Sequence, residues 1–133
     1  ITELVVAATA PKVLVSEAFQ ADGLVGLAAA VAVHAATPLV NKQSKFVANV
    51  VINAGTGAIT ITTAAAATSG LPADAAGTTV VFTPNVQNAP LAGLAGSVDW
   101  ACASITNVTG TTRGMTGIQP GTLPARYAPS DCR

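Results

Sequence analysis

Two cysteines, one histidine and six residues of each charge are the whole stock of thiol, imidazole and charged side chains in this chain. Cys102 and Cys132 stand 132 − 102 = 30 positions apart, far from the CxxC spacing of redox and metal motifs, and with His34 they cannot make a four-ligand zinc site. Read as one structural disulfide, they imply an oxidising compartment such as the periplasm or cell surface. Closing such a loop contributes roughly 3.5 kcal/mol. Two buried free thiols are the alternative, because spacing alone does not supply the bond geometry. His34 sits in an Ala/Val-rich stretch and reads as a satisfied, partly buried histidine rather than a catalytic base. Glu3 and Glu17 are 14 positions apart; on a helix that is roughly 21 Å along the axis, beyond the about 10 Å of a glycosidase carboxylate pair. Gly55-Thr56-Gly57 is followed by Thr60 where a dinucleotide loop needs its third glycine, so it reads as a hairpin turn. Asn107-Val108-Thr109 matches a glycosylation triplet, a match expected by chance in a Thr-rich segment. No catalytic residue, metal site or cofactor follows from these residues, and the enzyme reading falls away.

Lys42, Lys45, Arg113, Arg126 and Arg133 could gather on one edge and touch DNA. Zero net charge favours solvated surface charge instead, with pairing to Asp99 or Asp131. Trp100 reads as core, while for Tyr127 a receptor contact and a packing role stay level. Arg113, Arg126, Tyr127 and Arg133 are the candidate surface contacts. The aromatics, 4% of the chain, are too few and scattered to conduct along a stack.

The elements that must position these residues follow from composition and period. The 133 residues are 50% apolar and 9% charged, with a mean hydropathy of +0.55, which excludes disorder and suits one domain. Most of the apolar residues are Ala and Val, so the core is built from small side chains. The longest apolar run, Leu24 to Val33, is ten residues, where a membrane span needs about twenty. There is no initiator Met and no leader pattern, so the chain reads as processed or trimmed before Ile1.

Leu4, Ala8, Pro11, Val15, Ala18 and Phe19 form one helical stripe over residues 2 to about 22, with a kink expected at Pro11 and a stop at Asp22-Gly23. Residues 24 to 36 read as a short helix or compact loop over the core. From Lys45 the period changes to two. Phe46, Ala48, Val50 and Ile52 alternate with Val47, Asn49 and Val51, then Ile59 and Ile61 close a hairpin. Thr79 to Thr83 reads as a strand stopped by Pro84, a second loop runs to Gly96, and Val98, Trp100 and Cys102 mark the last strand. Four antiparallel strands with one apolar face need a cover, which the N-terminal helix supplies. After Cys102 the chain reads as irregular.

This order of elements resembles that of the type IV pilins of Gram-negative bacteria. Lys45-Phe46-Val47 looks like the family's first strand, and Val98-Asp99-Trp100-Ala101-Cys102 like its last. The tail Pro124-Ala125-Arg126-Tyr127-Ala128-Pro129-Ser130-Asp131-Cys132 is similar to the family's Pro-Ala-Lys-Tyr-x-Pro-x-x-Cys ending. The resemblance implies an α+β pilin fold: a long N-terminal amphipathic helix packed on a four-stranded antiparallel sheet, with a C-terminal loop closed by Cys102 and Cys132. It implies a single domain over 1–133, with the C-terminal half of the long helix at 1–22, a connecting helix or loop at 23–44, the sheet at 45–102 and the disulfide-bounded region at 102–132. An apolar half-helix preceding Ile1 would anchor the protein in the inner membrane before assembly.

The same resemblance implies a structural role: the major subunit of a type IV pilus, polymerising with other pilin subunits through the pilus assembly machinery into an extracellular, cell-surface filament. Attachment to host or abiotic surfaces, twitching motility, phage reception and DNA uptake follow for such filaments, and residues 103 to 131 would be the variable, partner-facing surface. The alternative is a minor pilin or a type II secretion pseudopilin acting as tip adhesin, DNA receptor or secretion component. Pseudopilins commonly lack the terminal disulfide and its tail, which disfavours that branch.

Overall fold

The computed structural model describes residues 2–92 and 96–133. Residues 93–95 of the expected second loop, and the side chain of Glu3, lie outside the described residues. The chain runs as helix α1 (Thr2–Ala7), helix α2 (Thr9–Ala35), strands β1 (Val47–Ile52) and β2 (Ile59–Thr63), helix α3 (Ala66–Ser69), strands β3 (Thr79–Val86), β4 (Ala89–Pro90) and β5 (Asp99–Ala103), and helix α4 (Val108–Thr112). Short 3-10 turns occupy Leu39–Asn41, Ala125–Tyr127 and Ser130–Cys132.

Leu4, Ala8, Pro11, Val15 and Phe19 are buried against the sheet, and Ala18 is half-buried. The helix is interrupted at Ala8, between α1 and α2. Pro11 has no N–H to give the carbonyl of Ala7, four residues back, so the kink falls one turn before the proline. A larger break comes at Asp22–Gly23, where Gly23 has φ 60° and ψ −145°. The helix does not stop there. It turns back and resumes, so that limb 24–35 lies beside limb 9–21 and Gly26 meets the backbone of Ala18. Only glycine adopts the Gly23 conformation without strain. Leu27 and Val31, four apart on the second limb, join the core. As one helix, Leu4–Ala35 would be long and apolar enough by length and composition to cross a membrane; the reversal divides it into limbs shorter than the roughly twenty residues a span requires.

The antiparallel sheet has five strands rather than four, in the order β1-β2-β3-β4 with β5 on the other side of β3. The extra strand is β4, created by a two-residue turn in which Gln87 and Asn88 both have positive φ (53° and 61°), the type I′ geometry that matches strand twist. In β1 a bulge between Val47 and Asn49 shifts the register. It places Val47 with Val50 and Ile52 on the buried face and leaves Phe46 and Ala48 half-exposed, because one inserted residue reverses the alternation.

β3 passes through Pro84 instead of stopping there. Thr79 uses its N–H and carbonyl toward Thr122 and Leu123 on the β5 side, and Thr78 bonds Thr63 on the β2 side. By alternation the nitrogen of Pro84 faces the β2 side, where β2 has already ended at Ile59 opposite Phe82. No ladder bond is lost. On the helix side Val80, Phe82 and Val86 meet Ile59, Ile61, Leu4 and Val15 in one cluster. Each fully buried side chain of this kind contributes about 1.5–3 kcal/mol. The outer face of β3 is covered too: Thr83 accepts from the N–H of Gln119, and Asn85 bonds the backbone of Thr116 in both directions.

Candidate functional site

Cys102 on β5 and Cys132 in the last 3-10 turn are joined by a disulfide, their Cα atoms 4.5 Å apart. Around this bond the C-terminal segment is tied down by polar contacts. Ser104 donates from its N–H (2.8 Å) and its hydroxyl (2.6 Å) to the Cys132 carbonyl. Thr109 donates to the carbonyls of Arg133 and Ser130, both at 2.9 Å. Ile105 donates to Leu123, and Gly121 to Ser104. The segment therefore packs as part of the sheet layer, and α4 is a helical turn within a stretch the sequence presents as irregular.

The candidate contact residues are engaged within the chain. Arg113 makes a two-pronged ion pair with Asp99, both distances 2.9 Å, and reaches the Trp100 carbonyl. Arg126 pairs with Asp74 and lies over the Tyr127 ring, whose hydroxyl donates to the same carboxylate at 2.8 Å. Arg133 donates from Nε to the Ala128 carbonyl. The structure thus gathers Arg126 and Tyr127 on one acid, and Arg113 separately beside Trp100. Asp74, which no motif or spacing singles out, holds the 70–77 loop to the tail.

Lys12 is a second residue that sequence reasoning passed over. Its Nζ lies 4.3 Å from the centre of the Phe82 ring and 6.0 Å from that of Trp100. Burial lowers its pKa from the usual 10.5, partly offset by the charge of Asp131. Its place beside Pro11, three residues before Val15, was the available signal: it borders the buried stripe.

A cleft of about 400 Å³ opens between the first limb of α2, the end of the second limb and β1. Ala10, Pro11, Leu14 and Val50 line it with His34 and Lys42. The pKa of His34 is lowered from 6.5, first by burial and then by the positive charge of Lys42. Among the described residues the Lys42 side chain makes no hydrogen bond or ion pair. Opposite the buried stripe the helix is apolar and open: Val6 is 65% exposed, Val13 49%, Val25 74% and Val33 73%. Val6 and Val13 are seven positions apart, two turns on one face. Such a face calls for a partner. No three of His, Cys, Asp or Glu gather among the described residues.

The model of the Pilin family, described as a bacterial filament, matches residues 1–133. A crystal structure of the type IV pilin of Pseudomonas aeruginosa strain Pa110594 superposes with a TM-score of 0.81 and 34% identity, covering 99% of this chain and 94% of that one. Among curated proteins no sequence matches significantly. The fold and family are structural rather than enzymatic. A family match along the whole length, joined to a similar fold in a relative one-third identical, makes this chain a pilin, a structural subunit of a bacterial surface filament.

Proposed function

We propose that this pilin is the major subunit of a type IV pilus, forming the mass of the filament by polymerising with copies of itself. The observation that carries this reading is the open apolar helix face, Val6 with Val13 on the first limb and Val25 with Val33 beyond the reversal. Burying these side chains against neighbouring subunits supplies about 25 cal/mol per Å² removed from water, while the opposite face is already occupied by the sheet. The helices would then bundle toward the filament core, with the sheet and the disulfide-bounded segment outside. Adhesion, twitching motility and DNA uptake are the behaviours such a filament supports. The engagement of Arg113 and Arg126 with carboxylates of the same chain favours subunit packing over a dedicated DNA receptor.

The test is a pair of outward substitutions, Val6→Asp and Val13→Asp, made in the source bacterium. Both side chains leave the core intact, so the folded subunit is expected at normal cellular level while filament recovered by shearing falls at least tenfold. Wild-type filament yield from both variants would refute the role of this face.

A further inference from the structure

We propose that the turn at Asp22–Gly23 of one subunit docks into the Lys42/His34 cleft of the next subunit, its carboxylate between the two basic side chains. The proposal rests on the filament reading and deepens it by naming a contact. Six acids balance six bases in the chain, and the balance is not met locally. Asp74 and Asp99 are taken by Arg126 and Arg113, and Asp131 faces Lys12. Among the described residues the side chains of Glu17 and Asp22, both exposed, make no hydrogen bond or ion pair, and neither does that of Lys42.

Two of the charges without a partner of opposite sign, Asp22 and Lys42, lie at opposite ends of the helical hairpin. Asp22 is at its tip. The cleft lies at the level of Ala10, twelve positions earlier, so roughly 18 Å of helix rise separates the two and the contact cannot close within one chain. The surroundings match as well as the charges. Leu24 (42% exposed) and Val25 flank Asp22 at the tip, and Ala10, Pro11, Leu14 and Val50 wall the cleft. A carboxylate carried on an apolar knob fits an apolar cleft holding a cation, and the attraction between the two charges is stronger there than on the open surface. A contact between two different patches of identical subunits is heterologous, and when its rotation does not close a ring it propagates as an open helical filament.

The experiment is charge exchange in the source bacterium, with Asp22→Lys, Lys42→Asp and the double variant, reading sheared filament yield by electron microscopy and gel. Subunit level in cells and the thermal melt of purified subunit serve as fold controls. Each single exchange is expected to lower filament yield at least tenfold with the melt unchanged, and the double exchange to restore it to within about twofold of wild type. If either exchange depresses the subunit level, Asp22→Asn and Lys42→Gln replace them, with a drop of at least threefold expected of each. Single variants that assemble like wild type overturn the proposal, as does a double variant no better than the singles. If deleting the whole gene leaves the filaments unchanged, the filament reading fails, and the proposal with it.

Discussion

Gly26 lies against the backbone of Ala18: a Cβ on Gly26 would stand 2.6 Å from the Ala18 carbonyl oxygen and 2.8 Å from the Asp22 Cβ. The two limbs of α2 approach this closely only because no side chain intervenes. Gly26→Ala gains about 1 kcal/mol of helix propensity but forces apart backbone that cannot rotate away, at about 1–3 kcal/mol. We expect net destabilisation of up to about 2 kcal/mol, read as a lower urea midpoint. A midpoint equal to or above wild type would mean that the limbs are not in contact.

The Cys102–Cys132 bond closes a loop of 30 residues. Replacing both cysteines by serine is expected to cost roughly 3.5 kcal/mol, and reductant to lower the wild-type midpoint by the same amount while leaving the double variant unmoved. Equal midpoints for the two proteins in oxidising buffer would contradict this.

Asp74 accepts from both Arg126 and Tyr127. An exposed ion pair is worth about 0.2–1 kcal/mol and a solvent-exposed hydrogen bond about 0.5–1.5, so Asp74→Ala should cost about 1–2 kcal/mol. Arg113→Ala removes an exposed pair with Asp99 and a longer 3.3 Å hydrogen bond to the Trp100 carbonyl, and should cost less, about 0.2–1 kcal/mol. The order of the two losses, measured by chemical denaturation, is the check.

The pKa of His34 is lowered in the folded chain by burial and by Lys42. The unfolded chain therefore binds the proton more readily, and in the window below 6.5 stability rises with pH. Acidification from pH 7.5 to 5.5 should lower the melting temperature through this group. His34→Gln should reduce that drop, and Lys42→Gln should move the imidazole titration, followed by NMR, back toward 6.5. An unchanged titration in Lys42→Gln would show that the two groups do not share the cleft.

Much of the fold was legible because its signals are local. The stripe Leu4, Ala8, Pro11, Val15 and Phe19 is buried as its spacing requires, the period-two run into Ile59 and Ile61 is the β1–β2 hairpin, and the tail around Cys132 carried the family resemblance. What escaped depends on long-range geometry. Pro84 looks like a strand end until β2 is seen to finish before it. Gln87–Asn88 contains no glycine, so the turn that makes β4 gave no signal. The bulge near Ala48 reverses an alternation that was itself clear. Asp22-Gly23 was visible as a break, but whether the chain stops or folds back is settled by Leu27, Val31 and Gly26 finding partners on the first limb and the sheet. The cleft, made from residues between Ala7 and Val50, appears only once that reversal is known.

The most direct measurement of the central claim is electron microscopy of the source bacterium with and without this gene, with the sheared surface fraction run on a gel. We expect filaments to vanish with the gene and this subunit to dominate the sheared fraction of the parent strain. Filaments that persist unchanged in number and composition would contradict the assignment of this chain as the major subunit.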